Sequence, residues 1–557
     1  MTESATDVRR TPRHRLADAL RSRTWQVRLA LALILVVAAV IRALGTRFGF
    51  PLLLHPDEWA VVEGVVDMAR RNSFEPPWAQ RPDHVEMKLD YIVFAGYAAV
   101  FKGMSIEAAF AQDPLPFYFL ARLVTTAFGV ATVALAYLVG ARWSRRTGLV
   151  AAVLFAIFPA FVNHAAFATP DVPLAFAVMV LIYALMRYTV TCSWSSLLWA
   201  SFAIALAVGI KYPGVVCAVM IAVTVIATAV RDRAWTRIVV HGAGSVVACV
   251  GFLFVISPSL FTNVSDLRRE LTFQASGGRL GNPDYGLLGN MRFYAATYLD
   301  FSGVLLAALG AVGLVVVIRS RRLDVLPWFV SVVVWVSLST LPMTWERWGV
   351  PMWITPLLLA SVALPWLVEQ LRGAWTRWIP WAIAGVVVVN LVAGSAQLVT
   401  GLMAPDTRSA ALEFVEDNGI KGRDSLDEGY SPFLPDAPQL IFDHTEQVGD
   451  GYRFRTRHDR PARYVVLSSS MYGRVLGDPA YRDGAEVYGW LAENADELAT
   501  FGPTAVPVPT WFEPLSIARN LDYASAMIRG GQHGPTIIVY EVPPDARADR
   551  PVTRPVL

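Results

Sequence analysis

The sequence predicts a polytopic α-helical membrane protein that carries one small water-soluble α/β domain at its C-terminal end. Three observations predict it. The 557 residues are 55% hydrophobic and only 17% charged, against about a quarter charged in ordinary soluble domains. The apolar excess is confined to residues 25–401, whereas 404–557 has soluble composition. The arginines between the apolar runs fall into a single alternating pattern.

A membrane-crossing helix needs about 20 mostly apolar residues. Eleven stretches qualify: 25–45, 117–140, 147–163, 173–189, 194–210, 214–230, 238–257, 298–318, 325–343, 350–368 and 378–401. Arg9, Arg10, Arg13, Arg15, Arg21 and Arg23 precede the first and Arg28 lies in its first turn, which assigns the N-terminal tail 1–24 to the cytoplasm. With eleven spans, the clusters Arg142/Arg145/Arg146, Arg187, Arg231/Arg233/Arg237, Arg319/Arg321/Arg322 and Arg372/Arg377 all lie on that side. A twelfth apolar stretch, 90–105, would turn every one of them outward, so it reads as a helix lying at the outer interface. The organisation expected is a cytoplasmic tail 1–24, a membrane domain 25–403 with a long first outer loop 46–116, and an extracytoplasmic domain 404–557. The location expected is the cytoplasmic (inner) membrane.

The tail begins with a helix that Asp406 or Thr407 can cap and Gly419 ends. Segments 462–470 and 535–542 have the alternation and β-branched content of strands. The three cysteines, Cys192, Cys217 and Cys249, all lie outside it, so no disulfide framework supports the tail.

The chemistry gathers on the outer side of this topology. His55-Pro56-Asp57-Glu58 follows the first span directly, with both acids in the first turn of a helix, where the helix dipole favours a carboxylate. Ala60, Val61, Val65, Met68 and Ala69 can cover an apolar side of that helix. Asp171 lies between Pro170 and Pro173 at the head of the fourth span, and His164 stands at the outer end of the third. Plain helix capping accounts for Asp171 equally well. Glu86 and Lys88 lie in HVEMKLDY, ahead of the interfacial helix. Lys211 stands alone in GIKYPG, Glu346 and Arg347 in TWERWG, and Arg292 precedes the eighth span. Outer cations can simply reach toward lipid phosphates. Outer loops are nevertheless poor in basic residues, and isolated cations in tight turns suit a phosphate that arrives within the bilayer. Carboxylates to deprotonate a hydroxyl, with cations or a carboxylate-held metal to receive a departing phosphate, are what transfer from a lipid-linked phosphate requires.

The arrangement resembles the GT-C glycosyltransferases that use polyprenyl-phosphate sugars, and among them family 39, the protein O-mannosyltransferases and the aminoarabinose transferases of lipid A. The resemblance covers roughly residues 25–400. It rests on the Asp57-Glu58 pair in the first outer loop and on the stretch 121–176, which ends in an acid after two spans. It rests also on ERWGVPMWITP (346–356). It implies a GT-C fold of about eleven spans with interfacial helices in the first outer loop, and a single inverting displacement. Asp57 then resembles the catalytic base, with Glu58 beside it, and Asp171 the second essential acid. Glu86 and Lys88 resemble the Glu-Lys pair of the family's EKPPL-like segment, although here Met87 separates them and the paired prolines are missing. His55, Glu86 and His164 are the residues expected to assist acceptor or metal. Lys88, Lys211, Arg347 and Arg292 are those expected at the donor phosphate. A divalent cation, Mg or Mn, is a candidate cofactor with Asp57 and Glu86 as its ligands. The partners implied are a polyprenyl-phosphate-linked sugar, a glycan, lipid or protein acceptor and the bilayer, and no nucleic acid. Tyr430, Ser431 and Pro432, with Tyr472–Arg474, are candidates for acceptor recognition, ordinary turns being the competing explanation.

Two other functions compete. A transporter or lipid flippase would carry charge at mid-span depth or an inverted repeat, and the sequence displays neither. A membrane-anchored binding module would place the activity in the tail.

Overall fold

The computed structural model describes residues 23–78, 83–275, 285–373, 375–432, 434, 441, 444–456, 458–478, 481–506 and 515–547. Arg9, Arg10, Arg13, Arg15 and Arg21 lie outside the described residues. All eleven apolar stretches are helical, and the chain is a multi-pass membrane protein. Among the described residues, eight helices are long and apolar enough to cross a bilayer unaided, from Thr24–Arg47 to Ile379–Met403. The other three stretches are shorter or broken: Arg145–Ile157 continued by Pro159–His164, Trp194–Ile210, and Leu323–Ser339. The stretch 90–105 does not run straight either. His84–Lys102 and Ile106–Gln112 meet at a bend of 71°.

The break at Pro159 shows how the bundle meets the demand that backbone groups in lipid find partners within the protein. Pro159 has no N–H to donate to the Phe155 carbonyl. Arg42, buried in the first span, donates to that carbonyl at 2.8 Å and to the Ala156 carbonyl at 2.8 Å. Ser395 of the last span donates to the Ile157 carbonyl at 2.8 Å. The 35-residue helix Gly286–Ser320 is interrupted at Gly303, where φ is +69°, a conformation that costs glycine little.

A second buried arginine organises the loops. Arg122, in the Leu115–Ala141 helix, grips Glu58 with two hydrogen bonds of 2.8 and 2.6 Å and donates to the carbonyls of Thr46 and Phe48 at 2.8 Å. The Glu58 carboxylate also accepts the Ala168 N–H at 2.8 Å. One fully buried ion pair therefore ties the chain after the first span to the chain before Asp171. The helix Glu58–Arg70 buries Ala60, Val61, Val62, Val65, Val66 and Met68 against its neighbours, and Glu63 stays exposed.

The tail forms a four-stranded sheet of order β1-β4-β6-β5, built from β1 Ser425–Asp427, β4 Tyr464–Ser468, β5 Asp496–Phe501 and β6 Ile537–Glu541. β1 and β4 are parallel; the other pairings are antiparallel. A hairpin of β2 Thr445–Val448 and β3 Gly451–Phe454 stands beside the sheet. Asp406 caps Thr407–Asp417 by accepting the Arg408 N–H. The domain packs onto the bundle. The tail helix Ile517–Ile528 lies along Ile379–Met403, where the Asn390 side chain accepts the Ser516 N–H at 3.1 Å. The buried Arg408 donates to the Leu54 carbonyl at 3.2 Å.

Two predictions follow from the packing. Glu58→Gln strands a buried guanidinium, and thermal unfolding in detergent micelles should show a loss of about 3–5 kcal/mol. A Cβ at Gly313 would run into the Leu359 carbonyl of the neighbouring helix, whereas one at Gly310 meets its nearest atom at 3.4 Å. Gly313→Ala should therefore cost about 1–3 kcal/mol in the same measurement, and Gly310→Ala should leave the midpoint in place.

Candidate active site

The Glu58–Arg122 clamp fixes where its neighbours point. Asp57 precedes Glu58 at the head of the helix and makes no side-chain cap bond there. Its carboxylate instead accepts from Arg347 of the TWERWG turn. The same guanidinium stands 4.0 Å from Asp171. Asp171 is the first residue of the Asp171–Thr191 helix, not its cap, and is 1% exposed. Lys211 donates to it at 2.5 Å. Two acids and two cations from four separate segments thus form one cluster, with Arg347 joining the acids. Two of its polar atoms have no hydrogen-bond partner among the described residues: Asp171 Oδ2 and Arg347 Nε. They face each other across the 4.0 Å gap.

Aromatic rings hold the cations in place. The Lys211 ammonium lies 5.4 Å from the Trp348 ring centre, and the Arg347 guanidinium 5.8 Å from that of Trp345. His164 lies 3.9 Å from Glu346. The His55 ring lies tilted against that of Phe167, centres 4.5 Å apart, and its Nδ1 accepts the Asp57 N–H at 3.3 Å. Burial lowers the His55 pKa from its ordinary 6.5, so the neutral ring remains available as that acceptor.

The remaining expected residues stand elsewhere. Both carboxylate oxygens of Glu58 are taken by Arg122, so its surroundings are those of a structural brace. Lys88 is engaged by Glu75 at 2.6 Å and by the Ile256 carbonyl at 2.8 Å. Glu86 is fully buried and accepts from Thr125 at 2.7 Å. Arg292 is exposed on the Gly286–Ser320 helix. The candidate metal ligands do not fit a divalent ion. Among the described residues no three His, Cys, Asp or Glu side chains converge, and Asp57 and Glu86 have Arg347 and Thr125 as partners.

Arg42 and Arg122 belong to no outer-loop charge pattern, because both sit inside apolar helices. The rarity of a buried arginine in a membrane segment was the available signal.

The tail reaches the same place. Tyr430 follows β1 with φ of +67°, and Arg474 follows β4. The Arg474 guanidinium lies 4.7 Å from the Tyr430 ring and 5.5 Å from the Trp345 ring. Beneath them the Glu428 carboxylate accepts the Ser468 N–H at 2.9 Å and the Tyr488 hydroxyl. The Ser468 hydroxyl donates to the Tyr430 carbonyl at 3.1 Å. Burial pushes the Glu428 carboxyl from its ordinary 4.5 up to about 7. A carboxyl raised in the folded state favours the protonated fold, so its stabilising contribution is complete below pH 4.5 and is lost as pH rises through about 7. The unfolding midpoint of the native chain should therefore fall from pH 5 to pH 7.5 more steeply than that of Glu428→Gln, in thermal scans of both proteins.

Residues 32–272 match the family described as dolichyl-phosphate-mannose-protein mannosyltransferase. No curated protein matches the chain in a sequence comparison. Among solved structures, ArnT from Cupriavidus metallidurans bound to undecaprenyl phosphate is 17% identical, with a TM-score of 0.47 over 72% of this chain and 74% of that one. The Pmt1-Pmt2 protein O-mannosyltransferase complex of S. cerevisiae, bound to its sugar donor, is 20% identical, with a TM-score of 0.34 over 46% of this chain and 36% of that one. Arabinofuranosyltransferase AftD from Mycobacteria is 13% identical, with a TM-score of 0.37 over 94% of this chain and 40% of that one. The family match spans the helices that carry Asp57, Asp171 and Lys211, so the part of the chain that builds the cluster is the part that is similar to the mannosyltransferase family.

Proposed function

We propose that the chain transfers a sugar from a polyprenyl-phosphate donor to a hydroxyl acceptor by a single inverting displacement on the outer face of the cytoplasmic membrane. The observation that carries the reading is the bridge from Arg347 to both Asp57 and Asp171, with Lys211 on the second acid. The family description names a prenyl-phosphate sugar as donor for its members, and the cluster has the charges such a donor needs.

The donor is a phosphodiester with one negative charge; the leaving prenyl phosphate carries two. Arg347 and Lys211 meet the charge that grows on the leaving oxygen, the kind of interaction that stabilises a transition state more than a ground state. As Arg347 turns toward the phosphate it loosens its hold on Asp57, the more exposed of the two acids. Asp57 then accepts the acceptor's hydroxyl proton while the oxygen attacks the anomeric carbon and the carbon–phosphate oxygen bond breaks. Asp171, buried and bonded to Lys211, keeps its charge and aims the ammonium. The prenyl chain lies between the spans. Arginine sorting supports the sidedness: the N-terminal tail is cytoplasmic, and 404–557 faces outward, as does the cluster.

Incubating the purified protein with a panel of prenyl-phosphate sugars tests the reading, with prenyl phosphate release as the signal. Asp57→Asn should fold normally and lose about 10²–10⁴-fold in turnover. Native turnover by that variant would remove Asp57 from the role of base.

A further inference from the structure

The geometry points to an acceptor-binding subsite in the tail domain, in which Arg474 takes an anionic group, a carboxylate or phosphate, carried by the acceptor. It rests on the transfer reading above and adds to it the chemical class of the acceptor.

β1 and β4 are parallel neighbours, paired from Ser425 with Tyr464 to Asp427 with Val466. Their carboxyl ends lie side by side, and the crevice beyond such ends is where open α/β sheets bind ligands. Both segments that leave those ends turn toward the membrane site. The segment after β1 supplies Tyr430; the helix Ser469–Leu476 after β4 supplies Arg474.

Arg474 is poised rather than spent. Its guanidinium lies against two rings, Tyr430 of its own domain and Trp345 of the bundle, and among the described residues no carboxylate pairs with it. Stacking fixes the plane of a guanidinium while leaving its N–H fork free for a planar or tetrahedral anion. Arg347, whose guanidinium lies 5.8 Å from the same Trp345 ring, is by contrast committed to two aspartates. One indole thus separates the cation assigned to the donor phosphate from a cation with no assigned charge.

The segment that carries Tyr430 is also held in shape. Tyr430 keeps a left-handed backbone, uncommon for a residue with a side chain and frequent where loops clamp ligands. The Ser468 hydroxyl holds its carbonyl, and Glu428 holds the Ser468 N–H. An acceptor whose acidic group sits on Arg474 would present a hydroxyl toward Asp57 from the side opposite the prenyl chain.

The test uses the full chain in micelles with the donor that the panel identifies. Three soluble acceptors serve as probes: octyl glucoside, octyl glucuronide and octyl glucoside 6-phosphate. The native protein should favour a charged probe over the neutral one by roughly tenfold in kcat/KM. Arg474→Gln should bring that ratio near one, and Arg474→Lys should keep part of it. Preference for only one of the charged probes would identify which anion the site takes. Equal use of neutral and charged probes by the native protein overturns the subsite and leaves the transfer reading standing. So does an Arg474→Gln loss that is the same for all probes, since that marks a residue that only docks the domain. Failure to release prenyl phosphate with every probe sinks the transfer reading and the subsite with it.

Discussion

The buried Glu58–Arg122 pair is the interaction on which the site depends. A charge pair without access to water is stable only when each remaining donor and acceptor is also satisfied, and here the surplus bonds go to the backbone. Arg122 takes two carbonyls after the first span; Glu58 takes the Ala168 N–H. Those bonds align two loops that are more than a hundred residues apart, and each loop ends in a carboxylate. Successive residues of a helix point about 100° apart. Asp57 and Glu58 can therefore divide their roles, one facing the cluster and the other bracing the scaffold.

The cluster is neutral as it stands: two carboxylates against a guanidinium and an ammonium. A neutral quartet can be held at a membrane surface without the large desolvation cost of a lone charge. It is also incomplete, because Asp171 Oδ2 and Arg347 Nε lack hydrogen-bond partners among the described residues. A phosphate entering near Arg347 would add negative charge, draw the guanidinium from Asp57 and leave the exposed aspartate the stronger base. Binding the donor and readying the base are then a single electrostatic event.

Much of the fold was legible because the bilayer imposes length and polarity on each segment. The eleven apolar stretches, the helix capped by Asp406 and the strands around 464–468 and 537–541 fall where hydropathy and alternation place them. The convergence of Asp57, Asp171, Lys211 and Arg347 was legible from their shared position at helix ends. What was not legible is pairing. Nothing in HVEMKLDY says that Lys88 reaches Glu75, and nothing in the Asp-Glu dipeptide says that the second acid belongs to an arginine in another helix. Arg42 and Arg122 are masked in the sequence by their apolar neighbours. The meeting of Tyr430 and Arg474 with Trp345 depends on how two domains dock, which periodicity does not encode.

The contact between the tail helix and the last span reaches deep. Asn390 lies nine residues past Trp381, one of three exposed tryptophans at that end of the chain's final crossing, or about 13 Å along the axis. It holds Ser516, and Asn520 lies beside Gly394. Leu521 and Ile528 remain exposed on the outside of that tail helix. The domain is moored along the shaft of the bundle, not hung from its rim. A protein cut after the final crossing would lose a wedge of its own wall.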